Sequence, residues 1–177
     1  MAQVRSLLTG TAAAALVVIG SGAITAQDKY ALQAPHGLAF SDFRGYEDWQ
    51  TVSVSHAEDT IEVILGNPAM IEAFRAGIPG NGKPFPDGAK MAKIHWNAIK
   101  SEDAPAPTTV PGALHDIDFM EKDSKRFADT RGWGYSQFNY DSASDTFKPL
   151  SDDAKCGAAC HELAAGKDYV FTVYGKR

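Results

Sequence analysis

The chain has little cysteine, little methionine and no second apolar run. Its 177 residues hold 2 cysteines and 4 methionines, so it is not a disulfide-stapled scaffold of the kind small secreted domains use. Beyond residue 20 nothing is apolar for long enough to span a bilayer. Basic residues are neither in excess nor clustered: 17 Lys and Arg face 22 Asp and Glu, a formal charge of −5. Phosphate contacts need gathered Lys and Arg, so nucleic acid is excluded as a partner. No repeat or low-complexity tract appears outside the first residues.

The start reads as an address. Residues 1–5 carry a positive charge at Arg5, residues 7–20 are mostly apolar and alanine-rich, and Ser21-Gly22-Ala23-Ile24-Thr25-Ala26 offers small residues for cleavage. The apolar run is too short and too rich in Gly, Ser and Thr for a membrane span, so a cleaved secretory signal over 1–26 is expected, with an uncleaved anchor as the alternative. Cleavage would leave one domain over 27–177, roughly 150 residues, enough for its own core. It would remove Arg5 and no acid, moving the charge from −5 to −6. The expected location is the periplasm.

Both cysteines sit in Cys156-Gly157-Ala158-Ala159-Cys160-His161. Covalent haem attachment uses C-x-x-C-H, two thiols joined to the porphyrin and a histidine that ligates iron. Here the spacer has three residues. On a helix, positions i and i+4 lie nearly above one another, about 6 Å apart along the axis, so both sulfurs still reach one face of a porphyrin. A disulfide between them would strain or break such a helix. A metal site of two cysteines and His161 lacks a nearby fourth ligand. One covalent haem c, held by Cys156 and Cys160 with His161 on the iron, is the reading of this motif.

The rest of the chain alternates more than it spirals. A helical spacing over 41–50 (Phe43, Tyr46, Trp49) precedes strands over 51–55 and 60–65. Asn67 and Pro68 open a helix that Gly77 stops. A Pro/Gly loop over 79–88 leads to a strand over 89–99, with Met91, Lys93 and His95 on one face and Ala92, Ile94 and Trp96 on the other. After a loop over 101–112, residues 113–121 alternate Asp116, Asp118 and Met120 against His115, Ile117 and Phe119. A helical turn over 124–128, an aromatic strand over 132–141, a helix over 152–165 carrying the haem motif and a closing strand over 168–174 complete the reading. The fold class is α+β, mainly an antiparallel sheet with short flanking helices and the motif on a C-terminal helix. Small helical cytochromes c place the motif near the N-terminus with a methionine ligand downstream, and no methionine follows His161.

Three blocks together resemble the cytochrome P-460 family. They are Lys155 to His161 with Ala164-Ala165 and Asp168-Tyr169-Val170-Phe171-Thr172; Val63 to Pro68, the short helix after it, Pro86-Asp87-Gly88 and the strand to Trp96; and Ser124 to Ala128 followed by Gly132-Trp133-Gly134-Tyr135. The family is similar in fold to cytochrome c′-beta, a mainly antiparallel sheet, usually dimeric. The resemblance implies a homodimer, oxidation of hydroxylamine at a five-coordinate haem, and a lysine cross-linked to the porphyrin. That lysine maps onto Lys93, with Lys90 as the fallback on the opposite face. A departure from the family's pattern falls at 56–62, where Glu62 stands in place of an expected basic residue.

Removing protons from hydroxylamine calls for a general base. His56, Glu58 and Asp59 are the catalytic candidates, with Glu62 beside them, and a solvated acidic hairpin is the plainer reading for at least two. His95 shares the face of Lys93. Three functions follow: an oxidoreductase acting on hydroxylamine or a related small nitrogen species, with a periplasmic electron-transfer partner; a cytochrome c′-beta-like protein that binds nitric oxide or carbon monoxide without turnover; or an electron carrier, which requires a six-coordinate iron.

Overall fold

A computed structural model describes residues 26–150 and 153–177. The expected signal segment lies, up to residue 25, outside the described residues. Six strands form one antiparallel sheet in sequence order: β1 (Gln50–Ala57), β2 (Thr60–Gly66), β3 (Lys90–Lys100), β4 (Thr109–Lys122), β5 (Trp133–Asp141) and β6 (Thr146–Pro149). Among the described residues two α-helices flank it, α1 (Pro68–Arg75) and α2 (Asp153–His161). No helix among the described residues is long and apolar enough to cross a membrane.

Alternation along the strands gives the sheet two different apolar faces. One carries Leu65, Ala92, Ile94, Ile117, Phe119 and Phe138, and the N-terminal segment folds over it with Leu38, Phe40, Phe43 and Tyr46. There Phe43 stacks on Phe119, ring centres 4.1 Å apart, and Phe40 meets the same ring edge-on at 5.1 Å. The expected helix over 41–50 is instead two 3-10 turns, Phe40–Phe43 and Tyr46–Asp48, parted by Gly45 at φ +81°. The left-handed glycine breaks the helix while the aromatic spacing still points inward.

The other face carries Met91, Met120, Trp133 and Tyr135, packed by Met70 and Ala73 of α1, by Phe85 and by Val170. Asn67 starts α1 as its sequence suggests: Oδ1 accepts from the Met70 N–H at 3.0 Å, with Pro68 at the first helical position. The same Oδ1 accepts from the Lys90 N–H, and Nδ2 donates to the Gly88 carbonyl at 2.8 Å. One side chain thus ties the helix to the start of β3.

The structure departs from the sequence expectations at further places. β4 begins at Thr109 and includes Pro111, within the expected loop, because β3 and β4 run on as a two-stranded hairpin beyond β2 and β5, where a proline blocks no further ladder. β6 was no part of the sequence reading: it is four residues long with Phe147 buried, and the Gln27 side chain bonds both backbone groups of Phe147. The expected strand over 168–174 is absent. Asp168 and Tyr169 stand at φ +49° and +64°, which no ladder accommodates, and Val170 rather than Phe171 or Val173 faces the core. The expected helix over 152–165 gives way after His161 to a 3-10 turn, Glu162–Lys167, kinked at Ala164.

Candidate functional site

The faces of β3, β4 and β5 that hold the second core end in a cavity of about 290 Å³, closed on one side by α2. Lys93, Cys156, Cys160 and His161 all line it, together with the apolar Ile64, Met91, Met120 and Leu150. Residues more than 60 apart in sequence therefore meet at one site. Cys156 and Cys160 are exposed free thiols, four positions apart on α2.

Helix α2 approaches β5 at Gly157. A β-carbon there would lie 2.7 Å from Tyr135 Cβ and 2.8 Å from Cγ, so only glycine permits this contact. His161 closes the helix between two aromatic rings, 4.9 Å from Tyr135 and 5.0 Å from Phe171. Its Nδ1 lies 2.5 Å from the Tyr169 carbonyl. That oxygen only accepts, so Nδ1 carries the proton and Nε2 keeps its lone pair. Burial holds the imidazole below its ordinary pKa, against the Tyr169 bond and with help from the Lys93 charge. A neutral imidazole with one free nitrogen is a ready iron ligand.

Lys93 lies in a row across the sheet, Ile64, Lys93, Asp118 and Gln137. The next row on the same face is Glu62, His95, Asp116. The two rows are joined by charge. Lys93 Nζ is 2.9 Å from Glu62 Oε2, Glu62 Oε1 is 3.4 Å from His95 Nε2, and His95 Nδ1 bonds Asp116. Asp116 also accepts from Nδ1 of the exposed His115 at 2.5 Å. Burial pushes the His95 pKa down, but the Asp116 hydrogen bond and charge overcome it and the result is raised. Burial likewise pushes Glu62 up, and its bonds from Lys93 and Ser55 bring it below the usual carboxylate range. Atoms of His95, Asp116 and Asp118 fall within 4.8 Å of one another, yet both His95 nitrogens already face carboxylates and neither is left for a cation.

His56, Glu58 and Asp59 are not brought to the cavity. They stand exposed around the β1–β2 turn, with Glu58 in the left-handed region at φ +51°. Glu62, at the end of that stretch, contacts Lys93, which lines the cavity. Alternation had placed His95 with Lys93 and Asp116 with Asp118, but only the β3–β4 register puts those two sets on one face. Lys90 points away, its Nζ donating to the Asp42 carbonyl at 2.7 Å and pairing with Glu121.

The Cytochrome P460 profile matches residues 43–172. The chain belongs to the Cytochrome P460 family. A search of curated proteins found no match. Membership in the Cytochrome P460 family implies a haem c protein, and the residues present fit that group. The cavity has apolar walls, two free thiols on one helix, and an imidazole whose second nitrogen is already engaged.

Proposed function

We propose that this chain is a periplasmic mono-haem c cytochrome of the P-460 type that oxidises hydroxylamine or a related small nitrogen species. One observation carries the reading: Lys93 opens onto the same cavity as Cys156, Cys160 and His161. The cysteines would hold the porphyrin as thioethers, His161 would ligate the iron through Nε2, and Lys93 would be the cross-linking amine. When bound, the haem would supply an electron-accepting iron.

The chain's own contribution is placement and proton handling. Met91, Met120 and Ile64 keep the cavity apolar, which strengthens charge effects at the site. Two carboxylates stand beside Lys93 to take protons from the substrate: Asp118, which lines the cavity, and Glu62, linked to Lys93 and backed by His95 and Asp116. Electrons would leave to a periplasmic partner.

The Glu62 ion pair also favours a second reading, since at 2.9 Å it already engages the Lys93 nitrogen that a cross-link would need free. In that case the protein resembles cytochrome c′-beta and binds nitric oxide or carbon monoxide without turnover. Met91 and Met120 on the cavity wall bring in a third outcome, a six-coordinate electron carrier. The optical spectrum of the ferrous haem protein separates them. A strongly red-shifted Soret band, lost in Lys93→Ala, supports the enzyme. An ordinary high-spin spectrum supports the gas binder, and a low-spin spectrum the carrier.

A further inference from the structure

A buried lysine outside the haem motif is linked to His161 through three contacts. Lys122, at the end of β4, is 6% exposed. Its Nζ donates to both carboxylate oxygens of Asp168, at 2.8 and 3.1 Å, and lies 5.0 Å from the centre of the Trp133 ring. Asp168 Oδ2 also accepts from the Phe85 N–H at 2.7 Å. Lysine is almost never this buried unless paired, and removing one partner leaves an uncompensated charge.

Asp168 is also where the backbone turns left-handed. It and Tyr169 are consecutive non-glycine residues at φ +49° and +64°, a conformation unfavourable to any residue with a β-carbon. The turn is closed by the Tyr169 N–H on the Ala164 carbonyl at 2.9 Å and by the Val170 N–H on the Lys167 carbonyl at 3.2 Å. Its outcome is that the Tyr169 carbonyl points at His161 Nδ1, 2.5 Å away. Farther along, Thr172 meets Ser53 and Tyr174 stacks on Phe74, but these anchor the tail beyond the turn. Asp168 is adjacent to the carbonyl itself.

We propose that Lys122 and Asp168 are positioning residues for the His161 imidazole: their ion pair holds the Asp168–Tyr169 turn, the turn aims the Tyr169 carbonyl, and the carbonyl keeps the proton on Nδ1. Nε2 is thereby left as the donor atom, and the hydrogen bond raises its basicity. The inference rests on the reading of His161 as the haem ligand.

The test uses the full haem-loaded chain as wild type, Lys122→Met and Asp168→Asn. Resonance Raman of the ferrous protein reads the iron–histidine stretch, and redox titration reads the midpoint potential. A weaker donor lowers the first and raises the second, and both variants are expected to shift in those directions. Unshifted values in variants that carry haem overturn the proposal. If Lys122→Met fails to fold, Asp168→Asn carries the test, because asparagine tolerates the left-handed region and keeps an acceptor for the Phe85 N–H. A wild-type chain without haem contradicts the functional reading instead. The His161 tautomer then remains readable by ¹⁵N NMR of the ring. A proton on Nδ1 in wild type and a mixture of tautomers in Asp168→Asn support the proposal, and one unchanged tautomer in both overturns it.

Discussion

Lys93 and Glu62 form an ion pair at 2.9 Å across β2 and β3, diagonal to the register that sets Glu62 opposite His95. Both groups are partly buried, with side chains 33% and 12% exposed. If Glu62 is the base, Glu62→Gln will lower hydroxylamine turnover by roughly 10²–10⁴-fold while haem content stays the same. Steady-state kinetics on haem-normalised protein checks this. An unchanged kcat takes Glu62 out of the proton path.

The His95–Asp116 contact makes stability depend on pH with a defined sign. His95 is flanked by Glu62, Asp116, Asp118 and Lys93, with His115 on the far side of Asp116. Burial lowers its pKa, but Asp116 raises it above the ordinary 6.5. Its stabilisation is therefore complete below that value and lost as pH rises through the raised one. Asp116, pushed up by burial but lowered further by its histidines, stabilises above 3.8 and loses this as pH falls through its depressed value. Thermal melts of wild type and His95→Gln between about pH 5 and pH 9 should show a gap in Tm that narrows toward alkaline pH. A gap independent of pH contradicts the assignment.

Phe119 is the centre of the larger core, 2% exposed and in contact with Phe40, Phe43, Tyr46 and Phe138. Phe119→Ala is expected to cost about 3–5 kcal/mol. Urea unfolding measures it, and a loss below about 1 kcal/mol shows that the cluster repacks.

Gly157 gives part of the three-residue spacer a physical role, since α2 touches β5 there without a side chain between. Gly157→Val should destabilise by about 1–3 kcal/mol through overpacking and move both thiols off the cavity. Ala159→Ser, at an exposed position of the same spacer, should stay within about 0.5 kcal/mol. Equal melting points for the two variants would remove the packing argument.

The sheet was legible because alternation is local: Met91, Lys93 and His95 against Ala92, Ile94 and Trp96 needs nothing but period two. The haem motif was legible because its chemistry demands two thiols and an imidazole close in sequence. What was not legible depends on register or on backbone signs. The Glu62–His95–Asp116 row exists only once three strands are aligned. The tail over 168–174 alternates like a strand, and the two left-handed residues that turn it toward His161 leave no period in the sequence. Lys122 lies just past the strand expected over 113–121, and its burial follows from Asp168, 46 positions away.

The proposed function requires one porphyrin that joins the thiols of α2 to Lys93 of β3. Proteolysis of the mature haem protein followed by mass spectrometry tests it most directly. The expected result is a single haem-bearing species in which the peptide containing Cys156 and Cys160 and the peptide containing Lys93 remain covalently joined. A haem peptide carrying the two cysteines but not the Lys93 segment would contradict it.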